Sequence, residues 1–322
     1  MQSYEDIPVF LKDFLIYIEV IQGKSKTTAE EYLRDLRTFF KYLKCKRQLA
    51  SFNDFENISV DDVTIEMLKE IDLSFLYEYM YYVSTERKNS ANARARKVSS
   101  LKSFFKYLTS KANILTDNPA KNLDAPKIPA QLPKYLTLDE SRRLLSGVDG
   151  EFEIRNYCIL TLFLNCGLRV SELTGINISS ITDDKFTVIG KGNKERTIYL
   201  NAACKTAIEA YLKVRPHEGV IDRDALFLSK RKTRISVKMV QVVVKNALEK
   251  AGLDTKIYSA HKLRHTAATL LYKHGHVDVR ALQEILGHKH LSTTQIYTHV
   301  SNDQLKDAIH SNPLADETID NL

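Results

Sequence analysis

The chain has 322 residues, 43% hydrophobic and 27% charged, and its 47 Lys and Arg against 40 Asp and Glu leave a net charge of +7. Those values fit a globular chain long enough for about two domains, and they exclude disordered, collagen-like and membrane-spanning classes. The longest largely apolar stretch, Tyr157–Leu168, holds Thr161 and Asn165 and falls well short of the ~20 residues of a bilayer-spanning helix. Glu5, Asp6 and Asp13 stand where a secretory signal carries positive charge, so a cytoplasmic location is expected. The four cysteines (Cys45, Cys158, Cys166, Cys204) form no CxxC pair, which points to free thiols in a reducing compartment.

From Tyr4 to about Asn113, apolar residues recur three and four apart, the period of a helix. Phe10, Phe14, Leu15, Ile18 and Val20 or Ile21 predict a first helix ending at Gly23. Leu33, Leu36, Phe39, Phe40 and Leu43 predict a second, starting near Thr27 or Thr28. The polar, acidic stretch Ser51–Asp72 reads as a loop containing a short helix. Phe75, Tyr79, Tyr82 and Val83 mark a third helix, and Val98, Leu101, Phe104, Phe105 and Leu108 a fourth, so residues 1–116 form a four-helix unit. Arg87–Lys111 carries eight basic residues and no acidic one. Most charge runs are solvated helix faces, but such faces mix signs, and contact with phosphates is the better reading here.

Four of the seven prolines (Pro119, Pro126, Pro129, Pro133) fall in residues 117–135 and predict an extended connector. The second domain, residues 136–322, opens on a capping box, Thr137-Leu-Asp-Glu140. It reads as mostly helical apart from Lys185–Ile189 and Arg196–Leu200, two β-branched runs around Gly-Lys191-Gly-Asn-Lys194 that predict a hairpin. The apolar helix Tyr157–Cys166 stops at Gly167, a C-cap glycine. Arg169 then begins the next helical turn, with Glu172 three positions on. At that spacing the carboxylate can orient the guanidinium; the plain alternative is an exposed, nearly neutral ion pair.

His261-Lys-Leu-Arg264-His265 lies on an amphipathic helix that ends near Gly275. His261 and His265 have the spacing of zinc proteases, but Lys262 stands where their catalytic Glu belongs, and no metal is expected. A His and an Arg on one face suit an anionic oxygen better. His288 follows Gly287, which caps the helix Val279–Leu286; His290 carries no motif. Ser292-x-x-Gln295 starts a further helix with Tyr297 in its second turn, where packing is the default role of a tyrosine.

In chain order, Gly-Leu-Arg169-Val-Ser-Glu172-Leu, Gly-Lys191-Gly-Asn-Lys, His261-x-x-Arg264-His, Leu-Gly-His288 and Thr-Thr-x-x-Tyr297 resemble the tyrosine site-specific DNA recombinases of the lambda-integrase family, and the wording is nearest to the bacterial Xer branch. The resemblance spans the whole chain. It implies a mainly α protein with the tyrosine recombinase fold: an N-terminal, SAM-like core-binding domain and a mixed α catalytic domain with a small antiparallel β-sheet.

The resemblance also implies the chemistry. Tyr297 attacks a phosphodiester, leaving a 3′-phosphotyrosine and a 5′-hydroxyl. Arg169, Arg264 and His288 stabilise the charge gathered on the non-bridging oxygens, and His261 assists as donor or proton acceptor. Lys191 protonates the leaving oxygen, with Lys194 the rival and more naturally a phosphate contact. Glu172 orients. Cationic side chains stand in for a metal, so no cofactor or divalent ion is expected. A homotetramer on double-stranded DNA is implied, with a second recombinase or a DNA translocase as possible partners, and with the C-terminal segment, about residues 303–322, packing on a neighbouring subunit through Leu305 and Ile309. Charge alone suggests Lys26, Arg94, Arg96, Lys97 and Lys102 as further DNA contacts. The rival readings are a type IB topoisomerase and an inactive DNA-binding accessory protein. Resolution of chromosome dimers and integration of a mobile element both remain open, because Gln48–Asp72 and Asn312–Leu322 exceed the compact Xer pattern.

Overall fold

The computed structural model describes residues 6–128, 134–190, 195–275, 277–287 and 291–295. They form two compact units that divide after residue 130.

The first unit holds α1 (Val9–Ile16), α2 (Lys26–Lys46), α3 (Ile65–Lys69), α4 (Leu73–Thr85) and α5 (Ala91–Ser110). Side-chain caps fix where four of them start: Ser25, Thr64, Asp72 and Ser90 accept from the amides of Thr28, Met67, Phe75 and Ala93 at 3.3, 3.4, 2.8 and 3.3 Å. The Ser25 cap is why α2 opens at Lys26, ahead of the expected Thr27 or Thr28. Helix α3 and a short 3-10 turn, Phe52–Asn57, lie within the stretch expected to be a loop with a short helix.

The core of this unit is aromatic. Phe14 meets Phe104 edge-on at 5.4 Å, and Phe39 meets Tyr79 edge-on at 5.0 Å. Val20 and Ile21 depart from the expected first stripe, being 70% and 71% exposed. The chain passes from α1 into a π-helical turn at Tyr17–Ile21, and the wider turn shifts the phase so that Ile18 is buried and Tyr17 partly so, while Val20 and Ile21 turn outward.

Two further expectations are corrected in this unit. Leu115, Ala120 and Leu123 are buried in its core, and Lys102 Nζ donates to the Leu123 carbonyl at 2.9 Å. The segment up to Leu123 is therefore packed rather than extended, because apolar residues interleave with the first proline. The basic face of α5 is also partly internal. Asp35, 3% exposed on α2, accepts from Lys97 Nζ at 2.9 Å, Arg96 Nη2 at 3.0 Å and Ser100 Oγ at 3.0 Å. Arg96 also pairs with Glu31. Lys97, at 6% exposure, is thus the counter-ion of a buried carboxylate and not a phosphate contact. Its charge balances Asp35, which sits on another helix and is invisible to a count along α5. Lys97→Met is expected to destabilise the protein by about 3 kcal/mol while leaving the salt dependence of DNA binding unchanged. Thermal melts beside binding isotherms at several salt concentrations check this.

The second unit holds α6 (Leu138–Ser146), α7 (Glu153–Cys166), α8 (Val170–Thr174), β1 (Lys185–Ile189), β2 (Glu195–Tyr199), α9 (Ala202–Val214), α10 (Val237–Lys250), α11 (Ala260–His274), α12 (Val279–Leu286) and α13 (Ser292–Gln295). The capping box forms: Thr137 Oγ1 accepts from the Glu140 amide at 3.2 Å, and Glu140 Oε2 from the Thr137 amide at 2.7 Å. Helix α7 is apolar around its circumference, with Cys158–Leu164 buried on every face, and it packs against α9 and α11. Strands β1 and β2 form the expected antiparallel hairpin, with Val188 opposite Arg196 and Ile189 opposite Glu195. Phe186, Val188 and Ile198 anchor it in the core. Among the described residues, no helix is long and apolar enough to cross a membrane.

Candidate active site

Helix α7 ends at Gly167, whose φ of +58° is left-handed. A Cβ there would stand 2.9 Å from Leu286 Cδ2, so only glycine lets the end of α12 come this close. Two residues on, Arg169 caps α8. Its amide donates to Glu172 Oε2 at 2.7 Å and its Nη1 to Glu172 Oε1 at 2.6 Å, so the expected orienting pair is formed. It is no surface ion pair. Glu172 is 2% exposed, and Arg196 and Arg264 reach the same carboxylate, at 2.8 and 3.7 Å.

Three guanidiniums thus surround one carboxylate and leave a local surplus of positive charge. Burial alone pushes the Glu172 carboxyl up, but the Arg196 bond and charge, with the amide and charge of Arg169, more than offset it and hold the pKa below the ordinary value.

The same arginines hold the end of α12. Arg196 donates to the Ile285 carbonyl, Arg264 Nη2 to the Leu286 carbonyl at 2.5 Å, and Arg169 Nη2 to the Gly287 carbonyl at 3.2 Å. The last carbonyls of a helix lack partners within it and carry partial negative charge, so cations are their natural caps. Arg264 Nη1 also donates to the Gly167 carbonyl at 2.7 Å, tying the end of α7 to the end of α12. With five N–H groups, Arg169 can make these contacts and keep donors for a further anion.

His261 and Arg264, three apart on α11, line a cleft of about 510 Å³ with Arg169, Ser171, Lys245 and Tyr258. His261 is exposed on the cleft wall. Desolvation by the protein on its inner side, then the charges of Arg264, Lys262 and Arg169, hold its pKa below 6.5, so the imidazole is neutral at pH 7. His265 meets it edge-on at 4.6 Å. Among the described residues, no three His, Cys, Asp or Glu side chains converge to hold a metal.

Of the residues expected from sequence, Arg169, His261 and Arg264 are therefore brought to one cleft wall, with Glu172 buried behind the arginines. Lys191, Lys194, His288 and Tyr297 lie outside the described residues, as do His290, Leu305 and Ile309. Of the expected DNA contacts, Lys26 is exposed at the start of α2, Arg94 Nη1 donates to Ser84 Oγ at 2.5 Å, and Arg96, Lys97 and Lys102 make the internal bonds described above. Arg196 is the member of this charged cluster that motif reasoning missed. Its signal was present: it shares the inward face of β2 with Ile198, and a charge on the buried face of a strand requires a buried counter-charge.

The comparisons with known proteins identify the family. The phage integrase family model matches residues 134–304, and the N-terminal SAM-like domain of phage integrases matches residues 11–112. The chain is 54% identical over 311 residues to a tyrosine recombinase XerC of Caldanaerobacter subterraneus subsp. tengcongensis, covering 96% of this chain and 88% of that one. It is 34% identical to the tyrosine recombinase XerD of Proteus mirabilis, covering 94% and 92%. Among solved structures, the XerH site-specific recombinase bound to its palindromic difH substrate is similar with a TM-score of 0.68 at 22% identity, over 96% of this chain and 98% of that one. The Tn1549 transposon integrase in complex with circular intermediate DNA gives a TM-score of 0.67 at 19% identity, over 94% and 99%. The chain belongs to the phage integrase family: it is a tyrosine recombinase, an enzyme that cleaves and rejoins DNA at specific sites.

Proposed function

We propose that Tyr297 cleaves a DNA strand by attacking a phosphodiester held in the cleft of Arg169, His261 and Arg264. The observation that carries this reading is the positive surplus around Glu172, set on the wall of an open cleft beside a neutral histidine. The bond from Tyr297 to phosphorus forms as the bond to the 5′-oxygen breaks. Arg169, Arg264 and His288 stabilise the charge on the two non-bridging oxygens, where preorganised cations act most strongly. A free phenol has a pKa near 10, so Tyr297 needs a proton acceptor, and neutral His261 is suited to that role. Lys191 gives its proton to the leaving 5′-oxygen. The phosphotyrosine conserves the energy of the broken bond, and attack by another 5′-hydroxyl rejoins DNA with no ATP. Exchange between two duplexes needs four such subunits, so the working form is a homotetramer on DNA. The likeness to XerC and XerD proteins favours resolution of chromosome dimers, in the cytoplasm, over integration of a mobile element.

The test compares wild type with Tyr297→Phe. Wild-type protein is expected to form a covalent DNA adduct and Tyr297→Phe none, while the variant still binds. Equal adduct yields would remove Tyr297 as nucleophile. Sequencing the chromosomal DNA retained by Tyr297→Phe in its host is expected to give one inverted-repeat site; recovery only of sites within a mobile element would reverse the choice of role.

The His261 environment sets the pH dependence. With its pKa lowered, His261 takes up a proton only below the ordinary value of 6.5. The single-turnover rate of adduct formation is therefore expected to be level through neutral pH and to fall on the acid side of 6.5. His261→Asn should lower the plateau and abolish that acid limb. An unchanged acid limb in the variant would assign it to another group.

A further inference from the structure

Arg196 begins one residue inside β2, on the strand end nearest the Gly-Lys191-Gly-Asn-Lys194 turn of the sequence. The far end of the hairpin is well secured: Phe186 and Ile198 are buried, and backbone bonds run from Thr182 to Lys185 and from Leu200 to Asp184. At the near end burial is limited to Val188, opposite Arg196. Ile189 is 61% exposed and Glu195 is exposed, so neither anchors it by burial.

There the Arg196 side chain makes the tie. Its Nη2 and Nε reach Glu172 Oε2 and Oε1 at 2.8 and 3.4 Å, and its Nη1 donates to the Ile285 carbonyl. Its stem lies against Gly287, where an added Cβ would stand 2.7 Å from Arg196 Cδ. One side chain thus joins the hairpin to the carboxylate that orients Arg169 and to the helix end that precedes His288.

We propose that Arg196 is a positioning residue for leaving-group protonation: it fixes the register of the Lys191-bearing hairpin against the arginine cleft. The other ties to Glu172 explain why the effect is directed at the hairpin. Without Arg196, Glu172 keeps two bonds to Arg169 and its pairing with Arg264, so the phosphate-facing arginines stay oriented. The near end of the hairpin loses its hold on both α8 and α12. This inference rests on the reading of Lys191 as the acid, and the experiment separates the two.

The substrate is a nicked duplex of the site recovered with Tyr297→Phe, made with either oxygen or sulfur at the bridging 5′ position. A thiol has a pKa of only about 8.5, so sulfur departs as the thiolate and needs no proton from Lys191. On oxygen DNA, full-length Arg196→Ala is expected to form adduct at least about tenfold more slowly, with DNA affinity within about twofold of wild type. On sulfur DNA it should regain most of the wild-type rate, as should Lys191→Ala. Arg196→Lys should fall between, since one ammonium cannot span Glu172 and Ile285 as a fork does, and it guards against misfolding of the alanine variant.

Arg196→Ala that is equally slow on both substrates, or as fast as wild type on oxygen DNA, overturns the proposal. If sulfur fails to restore Lys191→Ala, it is the assignment of Lys191 that falls, and amide hydrogen exchange then decides the tie. Faster exchange in β1 and β2 of Arg196→Ala, with α8 unchanged, supports it, and unchanged exchange in the strands refutes it.

Discussion

Replacing Arg264 with alanine is expected to slow formation of the covalent DNA adduct about 1000-fold, the largest effect of any residue on the described cleft wall. Two roles converge on this side chain. It is 3% exposed and joins the Gly167 carbonyl to the Leu286 carbonyl, so it fixes the ends of α7 and α12 together. It also lines the cleft beside His261 and Arg169, where a phosphate would gather charge. Losing the guanidinium leaves two buried carbonyls without these donors, a cost of about 1–3 kcal/mol each. The protein should therefore also melt at a lower temperature. Arg264→Lys separates the two effects: it keeps the charge but cannot bridge two carbonyls in a plane, so it should regain stability before it regains rate. Single-turnover cleavage measured below the melting range of each variant checks this. Wild-type cleavage by a folded Arg264→Ala protein would falsify the role given to the cleft.

Glu172→Gln should show the next largest effect, and by a different route. The carboxylate touches no substrate; it balances Arg169, Arg196 and Arg264 in a place where water cannot. A neutral amide of the same shape leaves three guanidiniums facing one another with no counter-charge, and breaking a buried pair in this way costs about 3–5 kcal/mol. Arg169 would then sit in a less defined position, and a misplacement of about 1 Å in a positioning group is enough for a rate loss near 100-fold.

The pH dependence has a definite sign. The pKa of Glu172 is held below the ordinary 4.5, so its contribution to stability is complete above that value and is lost as pH falls through the lowered one. Melting temperatures from neutral pH down into the acid range should show a steep acid limb in wild type. That limb should flatten in Glu172→Gln, and a limb of the same depth in both proteins would assign it to other carboxylates.

Much of this site could be read along the chain because its parts are local. Gly167 as a left-handed cap, Arg169 and Glu172 three apart, His261 and Arg264 on one face of α11, and the hairpin around Lys191 each depend on spacings of a few residues, which helical and strand periods fix. The same holds for the helical stripes of the first unit, whose apolar residues choose their own inward face.

Other features depended on partners distant in sequence. No local signal says that Asp35 faces Lys97 across two helices, that Leu115, Ala120 and Leu123 fold back into a core, or that a π turn carries Val20 and Ile21 outward. Arg196 is the clearest case. Its strand position marks it as inward-facing, but its two partners lie 24 residues before it and 89 after it, and only the approach of α8 and α12 makes it a tie. Pairing of buried charge is decided by which surfaces meet, and that is a property of tertiary packing.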